Sequence, residues 1–305
     1  MPRTNDLNSL LAQATRHLDA QQWDKADRVL RRALKSAPTD AGILNRLAAV
    51  QARMGNLRKA MDSITTALKH QPDDRASLTT RVDILARQAR IGEAIEASND
   101  MIGRFPGEAE LHAMRSGLLL HAGETNAAWT DMQRAHELKP DDLELLGRFV
   151  DATIARGIIP MDRAAADRLV HAQPFESRNH ARLGTILRLN DDADGSTAAY
   201  REAIRLDPRN TDAIAGLAEL SESGGDSEGA IELLRPLVKA ERAPLLPMLA
   251  WTRILARLGR HEEVVDDARR WLDRTSRPGM QAAALRFRLG NALDALGRHD
   301  EAFDT

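Results

Sequence analysis

The amino-acid sequence predicts an all-α fold built from a tandem array of helix pairs. The first observation is a sequence period of about 34 residues, a length typical of repeats that consist of two helices. The second is the composition: 43% of residues are hydrophobic but only 3% are aromatic, which suits helices packed through alanine and leucine. A unit of this size cannot bury its apolar face alone, so neighbouring repeats stack. The period is carried by six prolines: Pro38, Pro72, Pro106, Pro140, Pro174 and Pro208.

Charge and composition exclude several classes of function. The chain of 305 residues has 43 basic and 45 acidic residues, and this balance argues against a nucleic-acid-binding protein, which carries a basic excess. It has no cysteine, and therefore neither a disulfide nor a thiolate metal site. No apolar run has the length of a membrane span, and the N-terminus lacks the apolar segment of a secretory signal. We therefore expect a cytoplasmic protein without membrane insertion.

Aligning the chain in rows of one period explains each part of the unit. Glycine at unit position 15, such as Gly55, can adopt the left-handed conformation that ends the first helix. A small residue at position 20, such as Ala60, lets the second helix approach the first. Proline at position 32 ends the second helix, and the next residues cap the following helix, as in Pro72-Asp73-Asp74. Residues 1–6 are predicted to form a flexible arm, and the repeats occupy 7–305, starting near residues 7, 41, 75, 109, 143, 177, 211, 245 and 283.

Three departures from the period carry structural expectations. Gly157-Ile158-Ile159-Pro160 lies at the turn inside repeat five, so the second helix there is expected to start late. After Val238 the register slips, because Pro244 lies two positions beyond the place where the period predicts the next proline after Pro208. The first helix of repeat eight is therefore expected to be displaced. Repeat nine stops midway through its second helix. We therefore expect the chain to be a fragment whose uncapped last repeat self-associates.

The residues that recur at fixed positions of the period resemble those of the tetratricopeptide repeat. Repeat two shows Leu44-x2-Leu47-Ala48 and Ala60-x3-Ile64, and repeat six shows Leu183-Gly184. The resemblance implies a right-handed superhelix of eight full repeats and half of a ninth, which binds proteins or peptides in a concave groove. The pentatricopeptide repeat has the same period, but it binds single-stranded RNA and is expected to be basic, which the charge balance does not favour.

Patterns that resemble catalytic or metal-binding motifs are explained better as parts of the repeat. Gly225-Asp226-Ser227-Glu228-Gly229 matches the nucleophile motif G-x-S-x-G, but no strand precedes it. Asn190–Gly195 imitates the start of a calcium-binding loop, but Arg201 occupies the position of the bidentate glutamate. The nine histidines show no spacing of paired metal ligands. We therefore predict that the chain is not an enzyme and holds no metal or cofactor.

The resemblance places six positions of each first helix on the concave groove, and several carry a basic residue. An arginine fork binds carboxylates with two hydrogen bonds, so a protein or peptide partner of acidic character is expected. The alternative is that these arginines are surface residues paired with neighbouring acids. Leu11 and Thr15 stand where chaperone-binding members have lysine and asparagine, so binding of chaperone tails is not predicted. The candidate groove residues are Arg46, Arg53, Arg87, His121, Arg148, Arg178, Arg182 and Arg188.

The stretch Leu285–Phe303 also resembles the last repeat before the catalytic domain of bacterial tetratricopeptide-repeat sulfotransferases. This resemblance implies an alternative, in which the chain is the substrate-recruiting region of a larger enzyme. Such an enzyme transfers a sulfuryl group from phosphoadenosine phosphosulfate. Its catalytic domain would lie beyond Thr305, so none of its catalytic residues falls within this sequence.

Overall fold

The computed structural model describes residues 4–241, 243–274 and 282–303, and these residues form eighteen α-helices and no strand. The prediction of an all-α fold is therefore confirmed. The chain divides into two compact units, residues 1–152 and 153–305, with the boundary inside the ninth helix.

Unit one contains four helix pairs and most of a ninth helix. They are α1 (Thr4–Asp19), α2 (Trp23–Ser36), α3 (Ala41–Arg53), α4 (Leu57–His70), α5 (Arg75–Arg87), α6 (Ile91–Arg104), α7 (Ala109–His121), α8 (Thr125–Leu138) and α9 (Leu143–Arg156).

Unit two continues the series with another nine helices among the residues described. They are α10 (Ala164–Ala172), α11 (Ser177–Leu189), α12 (Ala193–Leu206), α13 (Thr211–Ser223), α14 (Ser227–Val238), α15 (Leu245–Arg257), α16 (His261–Arg274), α17 (Ala282–Ala295) and α18 (His299–Phe303).

The helix starts follow the sequence period, with one correction at each end. The first helices of repeats two to eight, α3 to α15, begin at the residues given by the period, and α17 begins at Ala282, one residue early. The predicted arm at residues 1–6 is too long, because α1 already begins at Thr4. Residues 1–3 lie outside the described residues.

The expected displacement in repeat eight is wrong. Helix α15 begins at Leu245, which is one full period after the start of α13 at Thr211. Pro244 directly precedes the helix, and Pro247 lies in its first turn, where a backbone N–H has no helical partner and its loss costs little. The extra prolines are therefore accommodated without a change of register.

Local signals account for the ends of the helices. Asp40 and Asp74 each accept a hydrogen bond at 2.9 Å from the backbone N–H three residues later, a cap that contributes about 1 kcal/mol. The turn inside the repeat has a left-handed residue, with φ of +79° at Gly55. In repeats three and six the same position holds Ala89 and Asp191, at +59° and +61°, so the packing of the helix pair enforces this turn even without glycine.

Within each unit the core lies between the two helices of a pair and between neighbouring pairs. Alanines at unit position 20, such as Ala26, Ala60 and Ala94, have no exposed surface. In unit two the buried ring of Tyr200 packs against Gly184 and Gly216. A Cβ atom at Gly216 would lie 2.2 Å from Cζ of this ring, so α13 can pack there only with glycine at this position.

The irregular turn of repeat five is held by one side chain. Helix α10 starts late, at Ala164, as expected, and the turn before it is not helical. Within this turn Met161 is buried, and both of its backbone groups are bonded to the side chain of Asn190. The Met161 N–H donates to Oδ1 at 2.7 Å, and Nδ2 donates to the Met161 carbonyl at 2.8 Å. Asn190 thus replaces the hydrogen bonds that a regular helix would supply.

Replacing Asn190 by alanine is expected to lower the free energy of unfolding by about 1–3 kcal/mol, because two backbone groups of a buried residue lose their partner. Urea unfolding followed by circular dichroism measures this change. Limited proteolysis is expected to cut between residues 157 and 163 sooner than in the parent chain. Asn8→Ala, on the exposed side of α1, is the control. Equal stability of the two variants would contradict the anchoring role.

Candidate functional site

In unit one, basic residues end three successive first helices. Arg53, Arg87 and His121 are the last residues of α3, α5 and α7, and α3 contacts α5. Within the part of the chain that the structure describes, Arg53 has no ion-pair partner, and neither does Arg46 about two turns earlier on α3. Arg87 pairs with Asp83 at 2.8 Å. A cation in the last turn also stabilises the helix dipole, so the position alone does not indicate a ligand.

Arg148 has a different environment from the exposed arginines of this unit. It is half-buried on α9, and its guanidinium donates a hydrogen bond to the carbonyl of Ala113 on α7. The side chain therefore connects α9 to α7 within unit one.

In unit two the three candidate arginines lie on α11. Arg178 is exposed at the start of the helix, and Arg182 donates to Oδ1 of Asn179 at 3.0 Å. Arg188 near the end pairs with Glu219 of α13 at 3.2 Å. For Arg87 and Arg188 the alternative interpretation, pairing with a neighbouring acid, is the one observed.

A cluster of three arginines around one acid lies further along unit two, in repeats seven to nine. Glu222 of α13 is buried and pairs with Arg253 at 2.7 Å and Arg257 at 3.3 Å, both on α15. Arg288 of α17 donates to the Leu249 carbonyl and, at 3.3 Å, to Oγ1 of a threonine on α15. Burial lowers the pKa of Arg288, and the positive charge of Arg253 lowers it further, while the negative charge of Glu222 raises it. These arginines occupy unit positions 9, 13 and 6, so an extension of the repeat alignment past repeat seven would have found them.

Two cavities open on this surface of unit two. A polar cavity of about 620 Å³ is lined by Arg188, Glu219 and Arg253 among other residues. An apolar cavity of about 470 Å³ lies at the starts of α13, α15 and α17, where Ala215, Leu249 and Ala284 contribute to its walls. Side chains of first helices thus line both a charged cavity and an apolar cavity in unit two.

The sequence motifs have structural roles. Asp226, in the segment that matches G-x-S-x-G, caps α14 by accepting the N–H of Gly229 at 2.8 Å. Asp192, in the segment like a calcium loop, caps α12 by accepting the N–H of Gly195 at 2.9 Å. Among the described residues, no group of three or more histidine, aspartate or glutamate side chains has the arrangement of a metal site. Each helix in those residues is too short or too polar to span a lipid bilayer.

Comparison with known proteins identifies the kind of repeat. Family models of the tetratricopeptide repeat match residues 17–81 and 181–247. The fold is similar to the crystal structure of a tetratricopeptide repeat protein from Parabacteroides merdae, with a TM-score of 0.57 and 15% identity over 95% of this chain and 99% of that one. The chain contains tetratricopeptide repeats, in residues 17–81 and 181–247.

Other similar proteins share this fold or part of the sequence. Yeast Tom70 has a TM-score of 0.58 and 16% identity, over 92% of this chain and 60% of its own. YrrB, described as a tetratricopeptide repeat protein with an unusual peptide-binding site, has a TM-score of 0.51 and 16% identity, over 61% of this chain and 95% of its own. Cellulose synthase operon protein C of Xanthomonas axonopodis pv. citri is 26% identical over 188 residues, 62% of this chain. The match covers 11% of that relative's length.

Two of the helix-pair repeats, the fourth and the eighth, contain a buried carboxylate at position 23 of the repeat. Asp131 accepts hydrogen bonds from Arg115 at 2.6 and 2.5 Å, and its Oδ1 lies 3.1 Å from Nδ1 of His112. Asp267 accepts from the indole N–H of Trp251 at 2.8 Å. The donors Arg115 and Trp251 both occupy position 7 of their repeats. Each carboxylate therefore joins the two helices of its repeat and is not directed at a ligand.

Asp131→Ala is expected to lower the free energy of unfolding by on the order of 3 kcal/mol, because Arg115 and His112 lose an acceptor inside the protein. The hydrogen bond to Asp131 raises the pKa of Arg115, because the carboxylate stabilises the charged guanidinium. Denaturant unfolding provides the measurement. Asp100→Ala, on the exposed side of α6, is the control and is expected to change stability by less than about 0.5 kcal/mol. If both variants lose the same stability, Asp131 has no special role.

Proposed function

We propose that this tetratricopeptide repeat protein is a binding scaffold that holds peptide segments of partner proteins on the surfaces of its first helices. The tetratricopeptide repeats at residues 17–81 and 181–247 support this role, since repeats of this kind stack side by side and present a binding surface. A structural neighbour, YrrB, is described as having a peptide-binding site. The resemblance of Leu285–Phe303 to sulfotransferases and the cytoplasmic location stay predictions.

The observation that carries the proposal is the pair of arginines on α3. Many arginines of this chain, such as Arg31 and Arg90, are engaged by a carboxylate one turn away on the same helix or at its start. Arg46 and Arg53 are exposed, and among the described residues no carboxylate pairs with either of them. Two unpaired guanidinium groups on one helix suit a partner segment that carries acidic side chains. Their interaction with such a segment is exposed to solvent and is therefore sensitive to salt.

The double variant Arg46→Glu/Arg53→Glu is expected to weaken binding of a fluorescein-labelled peptide with four glutamates by at least about tenfold, because attraction becomes repulsion at two contacts. Fluorescence anisotropy at low and high salt measures the affinity. In the parent chain, salt is expected to weaken binding steeply, and in the variant hardly at all.

Arg58→Glu is the matched control, because Arg58 is exposed on α4, the second helix of the same repeat. It is expected to bind the peptide like the parent chain. Both variants are expected to keep the parent's free energy of unfolding to within about 0.5 kcal/mol. An unchanged peptide affinity of Arg46→Glu/Arg53→Glu would refute the proposal for unit one, whatever the stability of this variant.

A further inference from the structure

We infer that repeats seven to nine form a peptide subsite for an apolar side chain and an acidic side chain two residues apart in an extended partner segment. The inference rests on the proposed function, because it requires that the chain bind peptides, and it names the kind of sequence that unit two selects. Two neighbouring features carry it, the apolar cavity and the arginine cluster.

The apolar half of the subsite is the cavity of about 470 Å³ at the starts of α13, α15 and α17. Its walls include Ala215, Leu246, Leu249 and Ala284. Leu246 is 69% exposed, and Phe287, three residues after Ala284 on α17, is 70% exposed. Apolar surface in contact with water is unfavourable in proportion to its area, so an apolar side chain placed in the cavity recovers free energy from both partners.

The charged half of the subsite adjoins this cavity. The Arg288 guanidinium donates to the carbonyl of Leu249, and Leu249 is itself part of the cavity wall. Arg288 is half-buried, and among the described residues it pairs with no carboxylate. Because a desolvated guanidinium is stabilised by an anion, a carboxylate of the ligand is favoured at this end of the cavity.

The neighbouring charges agree with an acidic ligand. Arg253 and Arg257 share the single carboxylate of Glu222, so together with Arg288 three cations surround one anion. The acid in the cavity wall is Asp212, which lies on α13, whereas Arg288 lies on α17 and α15 contacts both helices. Asp212 therefore repels an acidic side chain of the ligand near α13, so such a side chain is placed more favourably near Arg288.

The spacing follows from the geometry of helices and extended chains. Leu249 and Arg253 are four residues apart on α15, and so are Ala284 and Arg288 on α17. Four residues of an α-helix rise about 6 Å. In an extended peptide, side chains two residues apart point to the same face and are about 6.6 Å apart. An apolar residue and an acidic residue at positions i and i+2 therefore match the cavity and the arginine cluster together.

The test uses the full chain and fluorescein-labelled peptides that are blocked at both ends. Each peptide has one leucine and one glutamate in a serine and glycine background, one, two or three positions apart and in both chain orders. The spacing of two is expected to bind most tightly in one of the two orders. Glu→Gln or Leu→Ser within that peptide is expected to weaken binding by about tenfold each, as measured by fluorescence anisotropy.

Variants of the protein locate the binding. Arg288→Gln is expected to remove the preference for glutamate over glutamine. Ala215→Trp, which fills the cavity, is expected to remove the preference for leucine over serine. Arg286→Gln is the matched control, because it removes the same charge from α17 two residues away, on a different side of the helix. Circular dichroism verifies that each variant keeps its helix content, and the peptide substitutions test the inference independently of folding.

Each result supports or overturns the inference. Affinity that does not depend on spacing, or an equal loss in Arg286→Gln and Arg288→Gln, would overturn it. So would tighter binding of a peptide whose glutamate is replaced by a free C-terminal carboxylate, because the ligand would then be a chain end. If these peptides fail but the four-glutamate peptide binds through Arg46 and Arg53, only the subsite is refuted. If both fail, the proposed function fails as well.

Discussion

Close approach of helices through small side chains is the constraint on which the rest of the structure depends. At unit position 20 the alanines are completely buried, for example Ala128 and Ala230. Repeat eight has valine there, Val264, which is also completely buried. A side chain larger than valine would push the second helix away from the first, at a cost of about 1–3 kcal/mol. Repeat five has no alanine at this position. Asp162 occupies position 20, is exposed, and precedes a second helix that begins only at Ala164.

The helix pairs are joined by a small number of polar contacts in addition to apolar packing. Asp131 and Asp267 connect the helices of repeats four and eight, and Asn190 replaces the missing helical bonds beside repeat five. Each of these polar groups has its partners present. A buried polar group without a partner is destabilising, so these contacts fix the pairing of particular helices more than they add net stability.

The partners of each arginine distinguish structural arginines from those available to a ligand. Arg87 and Arg188 have an acid in reach, and a surface pair of this kind contributes about 0–1 kcal/mol. Arg148 donates within unit one. Arg46 and Arg53 in unit one, and Arg288 in unit two, form no ion pair with a carboxylate among the described residues. A guanidinium that the chain itself leaves without an acid gains most from an acidic partner.

The sequence by itself determined the class of fold and the frame of the repeats. The repeat period fixes where helices start, because proline, capping aspartates such as Asp40 and buried alanines such as Ala60 act locally or on the adjacent helix. Only the tertiary structure decided which charges are free. Whether Arg188 meets Glu219, or Arg288 remains without an acid beside Leu249, depends on residues about one repeat away in the chain. The period places such residues on one surface, but the rotation and spacing of packed helices determine which side chains touch.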